Sequence, residues 1–212
     1  MAFPHRIWLR HVSNADMTSK ASEGKGASMS ENLKSVCVYC GSRDGRDPAY
    51  AAAAEATGRM LAANGWRLVY GAGDVGLMGR VANAVQDAGG ATFGVIPTHL
   101  LDWEVGKRDL DNFVVTETMH ERKKVMFMNA DAVVVLPGGA GSMDEFFEAL
   151  TWRQLKLHSK PVILLNTGGF WNPLTALLSH IVERGFAGDD ILSFVQVAED
   201  VGELEALLAS AL

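Results

Sequence analysis

The stretch DAVVVLPGGAGSMDEFFE, Asp131 to Glu148, decides the fold. Val133, Val134, Val135 and Leu136 form a β-branched run closed by a turn signal. A short run that is apolar at every position reads as a strand buried on both faces, typical of a parallel sheet. Pro137-Gly138-Gly139-Ala140-Gly141 ends it. Ser142 is read as an N-cap, with Asp144 and Glu145 in the first turn of an amphipathic helix. The order strand, glycine loop, helix start leaves main-chain N–H groups unpaired where the helix dipole favours an anion. Glycines there let a phosphate approach the backbone. The two acids have two readings. As helix chemistry they complement the dipole. Facing a phosphate-bearing ligand, one of them is a candidate for acid–base or cation-stabilising work.

Outward from that stretch the same alternation repeats. Val36 to Cys40 is an apolar strand, and Pro48 to Asn64 an alanine-rich helix with Pro at a first-turn position and Gly65 past its end. Trp66 to Tyr70 is a second strand. Gly71 to Gly79, GAGDVGLMG, is a second glycine loop feeding a helix to about Ala88. Ala91 to Ile96 is a third strand, stopped by Pro97, and Thr98 to Asp111 is a long aperiodic loop of the kind that is often functional. Asn112 to Thr116 is a strand and Thr118 to Asn129 a helix; the opening stretch follows, with its helix running to Lys156. Pro161 to Leu165 and Phe194 to Val197 are strands, each followed by a helix. Strand–helix alternation predicts an α/β fold: a doubly wound, Rossmann-like, mostly parallel sheet with helices on both faces. Ligands of such sheets bind beyond the carboxyl ends of the strands, where both glycine loops fall.

The 212 residues suit one such domain, over 33–212, with a tail. Residues 1–32 have no sustained periodicity and no secretory apolar core. They read as a disordered leader or as a start placed upstream of Met17 or Met29. A net charge of -6 gives no basic footprint for nucleic acid. No apolar run is long enough to span a membrane. Cys37 and Cys40 stand three apart in a strand, so they point to opposite faces, and no second ligand pair accompanies them. They read as reduced thiols of a cytoplasmic protein rather than as a metal or redox site. The six histidines form no metal-spaced pair. No metal ligand set is expected.

Gly71, Gly73 and Gly76 spell G-x-G-x-x-G. The motif follows the second strand, however, and the next strand ends in Pro97 with no acid for a ribose. A phosphate-facing or close-packing loop fits better than a nicotinamide or flavin site. Neither loop carries G-K-[ST], which disfavours a P-loop. His120 to Lys124, HERKK, is a charge cluster whose default is a solvated face. Near the start of its helix, Arg122 and Lys123 also have the position to meet a phosphate or carboxylate at the sheet edge.

Several motifs together resemble one family: VYGAGDVGLMG (69–79), GVIP (94–97), MHERK (119–123), LPGGAGSMDE (136–145), TWRQL (151–155) and KPVILLN (160–166). They are similar to the LONELY GUY family of cytokinin riboside 5'-monophosphate phosphoribohydrolases. The resemblance runs from about residue 33 to the C-terminus. It implies a catalytic pair at Arg122 and Glu145. It also implies a nucleotide site that includes Glu104, Lys123, Gly138, Gly139, Ala140, Gly141, Ser142, Met143, Asp144 and Thr151, with Gly71 and Gly73 of the other loop. The family's usual Thr is Ser142 here, a usual glycine is Ala72, and a usual glutamate is Asp144. The implied reaction is hydrolysis of the N-glycosidic bond of a nucleoside 5'-monophosphate, giving free base and ribose 5-phosphate, with no metal or cofactor. A homodimer is implied as well. Two other classes are kept open. One is a non-catalytic nucleotide or molybdenum-cofactor carrier. The other is a pyridoxal-phosphate decarboxylase, for which Lys123 and Lys124 are the nearest Schiff-base candidates.

Overall fold

The computed structural model describes residues 33–101 and 109–212. The expected leader and Glu104 lie outside the described residues. Seven parallel strands make one sheet: β1 Ser35–Tyr39, β2 Arg67–Tyr70, β3 Thr92–Pro97, β4 Asn112–Thr116, β5 Ala132–Val135, β6 Val162–Leu165 and β7 Val195–Ala198. Their spatial order is β4-β3-β2-β1-β5-β6-β7. The chain winds outward from β1 to β4, then returns to the other side of β1 with β5. The reversal therefore lies between β1 and β5, where Tyr39 stands opposite Val135. The crevice of a doubly wound sheet opens at such a point. Here it is flanked by the loops after β1 and β5, which touch through the Gly41 N–H donating to the Pro137 carbonyl at 3.1 Å.

Side-chain alternation along the strands separates two apolar layers. Val36, Val38 and Cys40 face helices α1 (Pro48–Ala63), α2 (Gly76–Asp87) and α7 (Val201–Ala211). Cys37 and Tyr39 face α3 (Met119–Met128), α4 (Ala140–Gln154), α5 (Asn172–Glu183) and the short α6 (Asp190–Ser193). The two thiols thus sit on opposite sides of the sheet, both free and buried, as the strand reading requires. Met126 packs in the second core.

Helix starts differ in a way that matters for the site. Asp47 caps α1, a Thr118–Glu121 capping box closes α3, and Asp200 caps α7. No side chain caps α2 or α4. Most element ends fall within one or two residues of the sequence reading. The exceptions are informative. Gly76 to Gly79 is the first turn of α2 rather than loop. A methyl on Gly76 would strike the Ser42–Arg43 backbone, and one on Gly79 the Asp74 carbonyl. The second glycine motif is thus used for close packing at its helical end. Helix α6 and the 3₁₀ turns Thr98–Leu100 and Thr167–Gly169 carry too little periodicity to be read from sequence.

Candidate active site

The sequence reading placed Ser142 at the N-cap of α4. The structure corrects it: Gly139 is the N-cap and the helix begins at Ala140. Extended backbone at Gly139 turns the chain early, so Ser142 falls inside the first turn and is buried. Asp144 and Glu145 move to the second turn, and the first turn holds no acid. Their dipole reading is therefore lost, and no side chain caps the amides that open the helix, ahead of the Met143 N–H, which donates to the Gly139 carbonyl at 3.1 Å. The loop glycines divide by role. A Cβ on Gly138 would overlap the Ser142 side chain, so this glycine is needed for packing. A Cβ on Gly139 or Gly141 would meet nothing within 4 Å. Neither has a positive φ. Nothing in the fold requires those two glycines, and both border open space at an uncapped helix start, a setting suited to an anion.

Arg122 comes from the first turn of α3 and is only 5% exposed. Its Nε donates to the Val95 carbonyl at 3.1 Å and its Nη2 to the Gly71 carbonyl at 2.6 Å. Two strand ends thus hold the guanidinium at the carboxyl edge of the sheet. Gly71 is glycine because a Cβ there would occupy the place of that guanidinium. Gly73 is buried two residues further on. The default reading of the HERKK cluster fails at its centre: Arg122 and Lys123 are buried, while His120, Glu121 and Lys124 are exposed.

Lys123 faces the other way, onto α4. Its Nζ donates to Asp144 Oδ2 at 2.8 Å and lies 3.3 Å from Glu148 Oε2. Burial works against its charge, but the hydrogen bonds and fields of these carboxylates win and hold its pKa above the ordinary lysine value. A Schiff-base lysine needs the opposite shift, toward a neutral amine. The site does not fit pyridoxal chemistry at Lys123.

Burial pushes the carboxyl of Glu145, half-buried on the next helical position, up from its ordinary value to about 7. Burial is the main cause, opposed by the nearby Arg122 and Lys123 and reinforced by Asp144 and Glu148. The field of Glu145 also reaches Cys37, Tyr39 and Cys40 on β1. Arg122 and Glu145 therefore share one electrostatic environment at the switch-point crevice. A carboxyl poised near neutrality beside a fixed cation is suited to stabilising a developing positive charge or to taking a proton from water.

The remaining expected residues fall as follows. Ala140, Met143 and Asp144 are exposed around the α4 start. Thr151 is exposed about 16 Å along the helix axis from Ala140, at a rise of about 1.5 Å per residue. It is not brought to the loop of its own chain. Sequence reasoning missed Tyr39 and Gly41. Tyr39 looked like one more core residue of an apolar strand. Gly41 was visible only as a loop opening, yet it ties the two switch-point loops together.

Residues 78–208 match the family model described as possible lysine decarboxylase. A probable cytokinin riboside 5'-monophosphate phosphoribohydrolase of Oryza sativa subsp. japonica is 42% identical over 84% of this chain and 78% of its own length. The cytokinin riboside 5'-monophosphate phosphoribohydrolase of Rhodococcoides fascians is 43% identical over 79% of this chain and 85% of its own. Among solved structures, the molybdenum cofactor carrier protein of Chlamydomonas reinhardtii superposes with a TM-score of 0.67 at 22% identity, covering 85% of this chain and 98% of that one. That likeness shows a shared fold. The identity to the phosphoribohydrolases, spread over nearly the whole described domain, shows more: this chain belongs to the LONELY GUY family.

Proposed function

We propose that the protein hydrolyses the N-glycosidic bond of N6-substituted adenosine 5'-monophosphates, of the cytokinin riboside type, to free base and ribose 5-phosphate. One observation carries this reading. Glu145, poised at about 7, sits in the field of the buried Arg122, beside a glycine-cleared helix start that no side chain caps. The 5'-phosphate accepts hydrogen bonds from the amides that open α4, with the Ser142 region beneath. Binding energy from that remote group positions the reacting sugar carbon. As the glycosidic bond lengthens, positive charge builds on the ribose. The Glu145 carboxylate stabilises it and receives a proton from the attacking water, while the base leaves with the glycosidic electron pair and takes up a proton from solvent, to which Glu145 returns its own. The guanidinium of Arg122, fixed by two main-chain carbonyls, favours the ionised form of Glu145 and orients it.

A homodimer belongs to the same proposal. Thr151 stands away from the loop of its own chain, and Met128, Leu155 and Leu157 expose apolar surface near the α3 and α4 C-termini. A reducing, cytoplasmic setting is proposed from the two free buried thiols. No helix of the described residues is long and apolar enough to cross a membrane.

The test is an assay of the purified protein with isopentenyladenosine 5'-monophosphate, adenosine 5'-monophosphate and the unphosphorylated riboside. Release of base and ribose 5-phosphate is expected from the nucleotides and not from the riboside. Binding of the nucleotides without release would favour a carrier and overturn the proposal.

A further inference from the structure

We infer that Phe170 and Trp171 brace the two walls of the switch-point crevice and are positioning residues for the nucleotide site, acting through the loops after β1 and β5. The inference rests on the functional reading above. Its geometric basis is that two consecutive aromatic residues of the β6–α5 connection reach different walls. Trp171 reaches the end of β5: its indole Nε1 donates to the Val135 carbonyl at 3.3 Å. Val135 closes β5, and the chain passes from it through Pro137 to Gly139, the N-cap of α4. Phe170 reaches α1: its ring meets that of Tyr50 edge to face, with centroids 5.5 Å apart and planes at 76°. Tyr50 supports the loop after β1, because a Cβ on Gly45 would strike its ring. Phe170 and Trp171 also lie edge to face on each other at 4.7 Å and 88°, so the two arms form one unit. Trp171 and Phe170 belong to the α3–α6 layer and Tyr50 to the layer of α1, α2 and α7, so the unit spans the carboxyl edge of the sheet.

The brace has a fixed base. Asn166 follows β6 and is 3% exposed. The Trp171 N–H donates to its Oδ1 at 2.7 Å. Its Nδ2 donates to Asn172 Oδ1 at 2.9 Å and to the two Glu199 carboxylate oxygens at 3.1 and 3.0 Å. Its own N–H donates to the Ala198 carbonyl at 2.7 Å. A buried side-chain amide engaged at both its oxygen and its nitrogen is costly to displace. The aromatic pair is thereby anchored to the ends of β6 and β7.

The two walls meet at one point, where the Gly41 N–H donates to the Pro137 carbonyl at 3.1 Å. That hydrogen bond depends on the spacing of the loops after β1 and β5, which the two arms hold. The same spacing fixes where the amides that open α4 stand relative to Arg122 and Glu145. Release of either arm therefore weakens the grip on the phosphate and misplaces the sugar.

The experiment compares three variants with the wild type, each well below its melting temperature. Trp171→Phe keeps an aromatic ring and removes the N–H donor. Phe170→Leu keeps apolar bulk and removes the ring edge. Leu178→Ala, on α5 in the same apolar layer and 2% exposed, has no part in either arm and serves as the stability control. The readouts are the exchange rate of the Gly41 amide by NMR, the Kd of adenosine 5'-monophosphate, and kcat. Gly41 exchange, a local opening, is expected to quicken by about fivefold or more in both brace variants. Kd should rise by about fivefold in Trp171→Phe, and kcat should fall by about threefold to tenfold in both. Leu178→Ala should leave all three near their wild-type values. Wild-type exchange and affinity in Trp171→Phe would overturn the inference. Equal changes in Leu178→Ala at a matched loss of Tm would overturn it as well, since they would report general loosening. Should Trp171→Phe fail to fold, the half-buried Phe170→Leu decides through the same amide. Gly41 exchange needs no nucleotide, so a wild type that neither binds nor hydrolyses nucleotides counts against the proposed function alone, and the exchange rates still confirm or refute the brace.

Discussion

Arg122 and Gly71 fit one another: the Nη2 of Arg122 donates to the Gly71 carbonyl at 2.6 Å, and a Cβ on Gly71 would overlap that same guanidinium. The pairing joins α3 to the end of β2 and gives a physical reason for one glycine of the second loop. Gly71 does not hold a positive φ, so its backbone accepts alanine without torsional strain. The added methyl must instead push Arg122 from its place. The expected outcome for Gly71→Ala is a folded protein with kcat lowered by about tenfold to a hundredfold. KM should change less, because the α4 start is untouched. Steady-state kinetics with a melting curve checks this; a variant with wild-type kcat would show that Arg122 need not be held there.

Glu145 links activity to stability. Its folded-state pKa of about 7 lies above the ordinary 4.5, so between those values the native protein binds more protons than the unfolded chain. Stability therefore falls as pH rises from 4.5 through about 7 and is level above that. The ionised group costs up to roughly 3 kcal/mol at pH 8, before discounting for partial exposure. Glu145→Gln should accordingly raise Tm at pH 8, leave it nearly unchanged at pH 4, and abolish most turnover. In the wild type, kcat should rise with pH through an acid limb near 7. Calorimetric scans at the two pH values measure the first effect. An equal change in Tm at both would show that the carboxyl is not held protonated by burial.

Much of this architecture is legible in the chain. The run Val133–Leu136 and its flanking glycines identify a central parallel strand, and the alternation around it yields the doubly wound sheet. Two things are not legible locally. The start of α4 depends on Gly139 taking an extended conformation, and cap preferences favour the nearby Ser142, whose hydroxyl is instead packed against Gly138. The burial of Arg122 and Lys123 depends on partners 51 and 21 residues away in sequence, Gly71 and Asp144. A cluster spelled HERKK reads as solvated until those partners are in place. The expectation that Arg122 and Glu145 act as a pair came from the family resemblance, and the field of one at the other is visible only in three dimensions.

Gly141 tests the open helix start. It is the second residue of α4, has no positive φ, and a methyl added to it would have no neighbour within 4 Å. Alanine in its place should stabilise the free protein by about 0.5–1 kcal/mol, since it lowers the conformational freedom of the unfolded chain and favours helix. Under the proposed function the substrate phosphate approaches the open space that this methyl would enter. KM for the nucleotide should rise by about tenfold, a loss of about 1.4 kcal/mol in binding. Gly141→Ala thus separates fold from function: higher Tm with weaker binding. If KM stays at the wild-type value, the phosphate lies elsewhere.

Lys156 provides the matching case remote from catalysis. It follows the C-cap of α4 with φ of 59°, a left-handed conformation that suits glycine. The Leu157 N–H donates to the Trp152 carbonyl at 2.9 Å, and the Lys156 N–H to the Arg153 carbonyl at 2.9 Å. These are the two hydrogen bonds of a Schellman motif, with lysine in its glycine position. Holding a side chain there costs about 1 kcal/mol. Lys156→Gly relieves that strain, keeps both hydrogen bonds and removes an exposed cation at the far end of the helix from the α4 start. An increase in stability of up to about 1 kcal/mol is expected in urea unfolding, with an unchanged m-value and unchanged kcat. The gain is partly offset by the greater freedom of glycine in the unfolded chain, so a loss exceeding that offset would mean that the lysine makes a contact the helix end requires.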